Sequence, residues 1–272
     1  MKIKNSLNYL LALAIISTLF ASCAKDGATG PAGNNGANGA VGPTGPTGPI
    51  ASGNLMGFVK KFDQYGNPIE TALSGIKVTF TGTSILNTVT DSTGKYAFDS
   101  IATQYYTLNV VDTLFGPQQV NSQQFLGGAN AWRANVNIAA IPNFMVTAMT
   151  FVDTLLYGTD SVIEINGTLS TTDANIREAI VYVGSTINTS SNPATYQDYT
   201  TIQVKANMNT FKTIVPLNSL YALGYMPTQT IYFAAYGISL PLTASAYEDF
   251  ATSNNIFTAI SPVVLQASHM IQ

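Results

Sequence analysis

Gly75-Ile76-Lys77-Val78-Thr79-Phe80-Thr81, followed by Thr90-Asp91-Ser92-Thr93-Gly94-Lys95-Tyr96-Ala97-Phe98, decides the fold. In the first run Ile76, Val78 and Phe80 alternate with Lys77, Thr79 and Thr81, the period of two that marks a half-buried strand. In the second, Asp91 to Gly94 carries the chemistry of a tight turn, and Tyr96 and Phe98 then point the same way along a new strand. Working outward, Tyr106, Leu108 and Val110 repeat the alternation, as do Ala134, Val136 and Ile138. Turn residues separate the runs at Asp63 to Pro68 and at Gly127-Gly128. Short strands with turns every ten residues or so predict an all-β sandwich over residues 53–141.

Gly57-Phe58-Val59, the turn containing Gly66, Gly75 to Val78, and Thr90 to Phe98 follow one another as in carboxypeptidase-regulatory-like domains. The chain resembles that family over roughly residues 55–111. The resemblance implies a transthyretin-like seven-stranded sandwich without catalytic residues of its own. From Phe115 to Trp132 the sequence departs from it, and this Gln/Gly-rich stretch reads as a long loop.

Ile141-Pro142-Asn143 makes a short, stiff joint to a second domain, residues 143–266. Strand-like runs fall at 144–151, 162–169, 178–183, 199–206, 211–217, 230–236 and 255–260, which is the strand count of an immunoglobulin-type sandwich. Within it Pro227 to Tyr236 resembles the sixth strand of fibronectin type III domains. That likeness implies that Thr230 and Tyr232 begin the strand and that Tyr232 clips a loop to the sheet. Residues 267–272 read as a C-terminal tail. The fold class expected for the whole chain is therefore all-β: two sandwiches behind an export leader and a spacer.

The leader is residues 1–22. Lys2 and Lys4 precede an apolar run from Tyr9 to Phe20, the layout of a signal peptide. Leu19-Phe20-Ala21-Ser22-Cys23 resembles a bacterial lipobox, although Phe20 stands where leucine is commoner. The resemblance implies cleavage before Cys23 and acylation of that residue, with several chains giving a lasting membrane anchor. Ala24-Lys25-Asp26 is similar to the charged tag of surface-exposed lipoproteins in some Gram-negative bacteria. The expected location is the bacterial outer membrane, facing outward.

Residues 23–52 form the spacer. Gly27, Gly30, Gly33, Gly36, Gly39, Gly42, Gly45 and Gly48 recur at every third position until Ala51 breaks the register. Only glycine fits the axis of a collagen triple helix, so the period predicts a collagen-like stalk, roughly 70 Å long if extended. Pro31, Pro43, Pro46 and Pro49 pre-set the polyproline geometry. A homotrimeric stalk and a monomeric flexible spacer are both consistent with these triplets.

Of 272 residues only 9% are charged, and the net charge is −3 with 11 scattered basic residues. This leaves no electrostatic footprint for nucleic acid. One cysteine excludes a disulfide framework or a cysteine metal cluster. The single histidine, His269, falls in the tail, and Glu248 and Asp249 would point to opposite faces of a strand. No cofactor, no metal and no enzymatic activity are expected. Five of the ten aspartates open an Asp-(Ser/Thr) pair followed by an apolar residue or threonine. This pattern resembles an O-glycosylation signal of exported proteins, with Ser92, Ser100, Thr113, Thr154 and Ser161 as acceptors; Asp-Ser and Asp-Thr are also good turn formers.

The leading functional expectation is a lipid-anchored, non-enzymatic surface protein presenting two sandwiches for adhesion or assembly, through a protein or glycan ligand. The alternative is a glycan-binding accessory lipoprotein of a nutrient-uptake system. Trp132 and a set of tyrosines (Tyr196, Tyr199, Tyr221, Tyr225, Tyr232 and Tyr236) are the candidate stacking surfaces, if they are not core residues.

Overall fold

The computed structural model describes residue 30, residues 51–156 and residues 160–272. The leader, Cys23 and the stalk glycines other than Gly30 lie outside the described residues. No helix among the described residues is long and apolar enough to cross a membrane.

The chain is all-β, as its alternation predicts. Among the described residues, nine strands surround the first core: β1 (Ser52–Phe62), β2 (Pro68–Ile69), β3 (Lys77–Thr81), β4 (Ile85–Val89), β5 (Lys95–Ala102), β6 (Gln104–Val111), β7 (Gln118–Phe125), β8 (Trp132–Arg133) and β9 (Val136–Ala139). One sheet has the order β4-β3-β6-β7; in the other, β1 pairs with β2, β5, β8 and β9. Val78, Phe80, Tyr96, Leu108 and Val110 are buried between them, and Phe80 stacks on Tyr106 at 5.1 Å. The Asp91 turn forms as its residues dictate. Asp91 Oδ1 accepts from the Thr93 and Lys95 amides, at 2.8 and 3.1 Å. Gly94 sits at φ +79, where a Cβ would lie 2.6 Å from the Val59 carbonyl oxygen.

The stretch read as a long loop contains β7, paired antiparallel to β6 at the edge of its sheet. Its alternation is hidden because most of its residues are polar on both faces. Val120 and Phe125 supply its apolar contacts to the core, and the buried Gln118 donates to the Ala244 carbonyl at 2.8 Å.

The second core lies between two sheets, β10-β11-β14 and β13-β12-β15-β18. These strands are β10 (Val146–Leu156), β11 (Asp160–Leu169), β12 (Arg177–Gly184), β13 (Asp198–Val204), β14 (Thr210–Pro216), β15 (Thr230–Ile238) and β18 (Leu265–Met270), with the hairpin β16 (Ala246–Asp249) and β17 (Asn254–Phe257) set apart. β12 is buried along its whole length, which explains its unbroken Ala-Ile-Val-Tyr-Val run. Phe211 sits over Gly167, its register partner, where a Cβ would meet the ring at 2.0 Å.

Three expectations need correction. The seventh strand of this sandwich is β18 and not residues 255–260, whose first part instead builds the separate hairpin. The end of the chain is therefore no frayed tail: β18 pairs with β15, and Ile271 is fully buried. Gln266, Ala267 and Ser268 carry too little apolar contrast for a period of two to show. Tyr232 also does not form a clip, because its hydroxyl makes none of the hydrogen bonds found among the described residues.

The two cores meet through side contacts as well as through Ile141-Pro142. Leu240 donates its amide to the Gln64 carbonyl at 3.2 Å, and Asn143 donates to Gln64 Oε1 at 2.8 Å. Ser239 Oγ donates to the Ala140 carbonyl at 2.6 Å, and the Tyr65 hydroxyl to Asp173 at 2.5 Å.

Candidate functional site

The hairpin β16–β17 stands between two clefts. The short helix Leu242–Ser245 leads into it, and the buried Ser245 Oγ donates to the Ser239 carbonyl at 2.6 Å, fixing where the hairpin leaves the sandwich. Its turn is held by Asp249, whose Oδ2 accepts from Thr252 Oγ1 at 2.7 Å.

The first cleft, about 370 Å³, is lined by Tyr199 and Thr201 from β13, Tyr247 and Glu248 from β16, and Asn255 and Phe257 from β17. Asn255 Nδ2 donates to the Tyr199 hydroxyl at 3.1 Å, and the Tyr199 ring meets Phe257 edge-on at 5.0 Å. Behind them lies Tyr182, fully buried, with Tyr196 at 4.8 Å and Tyr236 at 5.8 Å between ring centres. Burial, followed by the neighbouring phenols, pushes the Tyr182 phenol far above its ordinary value. Burial also raises Tyr196 and Tyr247, with Asp249 adding to the second. These phenols stay neutral, so the wall offers ring faces and uncharged hydroxyls.

The second cleft, about 350 Å³, lies on the free edge of β7. There Gln119, Asn121 and Gln123 face Asn135 and Asn137 of the opposite sheet, with Tyr247, Glu248 and Phe250 as the far wall. Asn121 Nδ2 donates to the Glu248 carbonyl at 2.8 Å, tying strand to hairpin. Amides that donate and accept, beside exposed aromatic rings, are the chemistry of neutral polyol recognition. Glu248 is the carboxylate in these linings.

Of the tyrosines singled out in the sequence, Tyr196, Tyr199 and Tyr236 come together around Tyr182. Tyr225 is core, with its phenol pushed up to about 12 by burial. Tyr221 is exposed at the end of the second sandwich, and Tyr232 is half-buried beside Ile187. Trp132 is half-buried against Phe125, with its indole nitrogen donating to the Gly127 carbonyl at 3.0 Å, so it is a rim residue of the first core. Ser92, Ser100, Thr113, Thr154 and Ser161 are all exposed. Their aspartates differ in setting: Asp91 caps a turn, Asp112 pairs with the buried Lys61 at 2.7 Å, and Asp153 meets His269 at 2.9 Å. His269 also stacks on Phe151, so it is an ordered part of the sheet.

No group of three or more His, Cys, Asp or Glu side chains among the described residues could hold a metal ion. Sequence reasoning did not single out Tyr247, Gln119, Asn121 or Asn137. The density of Gln and Asn from 118 to 124 is the signal that could have pointed to them.

Neither a known protein family nor a curated protein matches this sequence. Among solved structures, the chain is similar to a candidate carbohydrate-binding protein from Bacteroides uniformis, at 14% identity and TM-score 0.29 over 81% of this chain and 100% of that one. It is similar to a DUF3823 family protein from Parabacteroides merdae, at 9% identity and TM-score 0.27 over 82% of this chain and 100% of that one. It is also similar to the major pilin SpaD from Corynebacterium diphtheriae, at 12% identity and TM-score 0.27 over 80% of this chain and 65% of that one. Likenesses at this level carry nothing about what the chain binds.

Proposed function

We propose that this is a non-enzymatic surface protein, anchored by lipid at Cys23 and held outward by the glycine-triplet spacer, whose sandwiches bind neutral glycans at the clefts beside β16–β17. One observation carries the reading: Tyr199, Asn255 and Tyr247 on one side of the hairpin, and Gln119, Asn121 and Asn137 on the other, converge as uncharged amides, hydroxyls and ring faces. The exposed Asp-(Ser/Thr) hydroxyls fit the same setting, since glycans there would hydrate a surface so poor in charge. A glycan array probed with the mature protein tests the binding. Neutral glycans retained by the protein and lost with Tyr247→Ala support it, and an array with no retained glycan overturns it.

A second reading, adhesion or assembly by protein contact, is favoured by the apolar end of the second sandwich. Register puts Leu155 at the start of β11 and Met270 opposite Thr230 at the start of β15, while Ile187 follows β12 beside Tyr232 and Ser268. Leu155, Met270 and Ile187 are 56%, 57% and 68% exposed. Met226, 66% exposed, lies in the loop that enters β15. Exposed apolar groups gathered in this way mark contact surfaces.

A further inference from the structure

The outer face of β4-β3-β6-β7 carries a polar row that leads into the second cleft. Val78 and Phe80, then Leu108 and Val110, then Val120 turn toward the core, so Thr79, Asn109 and Gln119 turn outward. Register places Asn87 opposite Thr79, Thr79 opposite Asn109, and Asn109 opposite Gln119. One straight line of amide, hydroxyl, amide and amide thus crosses all four strands. Thr79 Oγ1 donates to Asn87 Oδ1 at 2.8 Å, which leaves the Asn87 amide nitrogen to donate outward. Neighbouring strands are ~4.8 Å apart, so the row extends about 14 Å before Gln119 hands over to the cleft that it also lines.

Resting on the glycan-binding reading above, we propose that the ligand is an extended, unbranched neutral polysaccharide, lying across the strands of this sheet with one end in the cleft on the edge of β7. The strand spacing offers a hydrogen-bonding group at steps close to the length of one pyranose unit. Flanking lines of Ile85, Thr81 and Thr107 on one side, and Val89 and Val111 on the other, supply apolar contact for the ring C–H faces. Lys77 is the one charged side chain in these three lines, which otherwise offer only amide, hydroxyl and apolar groups, so a neutral chain can be held along the row without an ionic partner. The continuity of the row with the cleft through Gln119 argues for a linear ligand with several subsites.

The test is a length series from disaccharide to hexasaccharide of neutral gluco-, manno- and xylo-oligosaccharides, titrated into the mature full-length protein. Affinity in one series is expected to rise at least tenfold from disaccharide to hexasaccharide. Thr79→Val combined with Asn109→Leu, both exposed or half-exposed positions, is expected to flatten that ratio. Binding independent of length overturns the row while leaving the cleft reading standing. A rise with length that the double variant does not flatten also overturns the row. No binding at any length overturns both.

Discussion

Replacing Tyr182 by phenylalanine removes one oxygen from the centre of the aromatic cluster behind the first cleft. That oxygen is buried, and the hydroxyl has no hydrogen-bond partner among the described residues. The ring makes its contacts with Tyr196, Tyr199, Tyr236 and Phe257 through carbon, so phenylalanine keeps them. Leaving a buried hydroxyl unpaired costs about 1–3 kcal/mol. The void left by one oxygen is smaller than a methyl group and gives back only part of that. Tyr182→Phe should therefore stabilise the protein by about 1–2 kcal/mol, or a few degrees in Tm at the ~2–4 °C per kcal/mol usual for this size. Tyr182→Ala, which empties the site, should cost about 3–5 kcal/mol. Urea denaturation followed by tyrosine fluorescence measures both. If Tyr182→Phe lowers stability by about 1 kcal/mol, the hydroxyl has a partner and the reasoning fails.

Glu178 is buried on β12, and burial raises its carboxyl above the ordinary range against a smaller opposing hydrogen bond from Thr201. A raised folded-state value means that its stabilising contribution is complete at low pH and is lost as pH rises through that value. Glu178→Gln should thus raise Tm at neutral pH and lose this advantage in acid, as a pH series of thermal melts will show; an equal gain at every pH contradicts it. Asp112→Asn removes the negative charge facing the buried Lys61, whose remaining partners are neutral: the Ala72 carbonyl, the Phe115 ring and the new amide. The loss should approach the ~3–5 kcal/mol of a broken buried pair, reduced because Asp112 is 22% exposed. Gly167→Ala drives a methyl into Phe211 and should cost at least ~1–3 kcal/mol by denaturant titration. Cys23→Ala should abolish fatty-acid incorporation and release the protein from the envelope fraction in metabolic labelling.

The strands that declare themselves in the sequence have one wet face and one dry face. β3, β5 and β6 show this contrast, and their alternation reads directly as a sandwich wall. β7 and β18 lack it: Gln118 to Gln124 is polar on both sides apart from Val120, and Gln266-Ala267-Ser268 has too little apolar bulk. Both become strands because a neighbouring edge offers a ladder of hydrogen bonds, which is tertiary information. The candidate site was legible only in part. Tyr196 and Tyr199 are visible as a tyrosine-rich patch, but the clefts need the β16–β17 hairpin beside the first sandwich, and Asn121 and Tyr247 are 126 residues apart in sequence. Residues 255–260 read as one sandwich strand because Ile256 and Phe257 carry the apolar signal, whereas the segment divides: its first part pairs with β16, and only Ile260 bridges to the end of β15.

Hydrogen–deuterium exchange on the mature protein, with and without a neutral hexasaccharide that it retains, tests the binding site most directly. Added protection is expected in residues 118–124, 199–203 and 246–257, which border the two clefts, and along β3 and β6 if the ligand follows the polar row. Protection confined to the apolar end of the second sandwich, around Ile187, Met226 and Met270, would contradict the account and favour adhesion through protein contact.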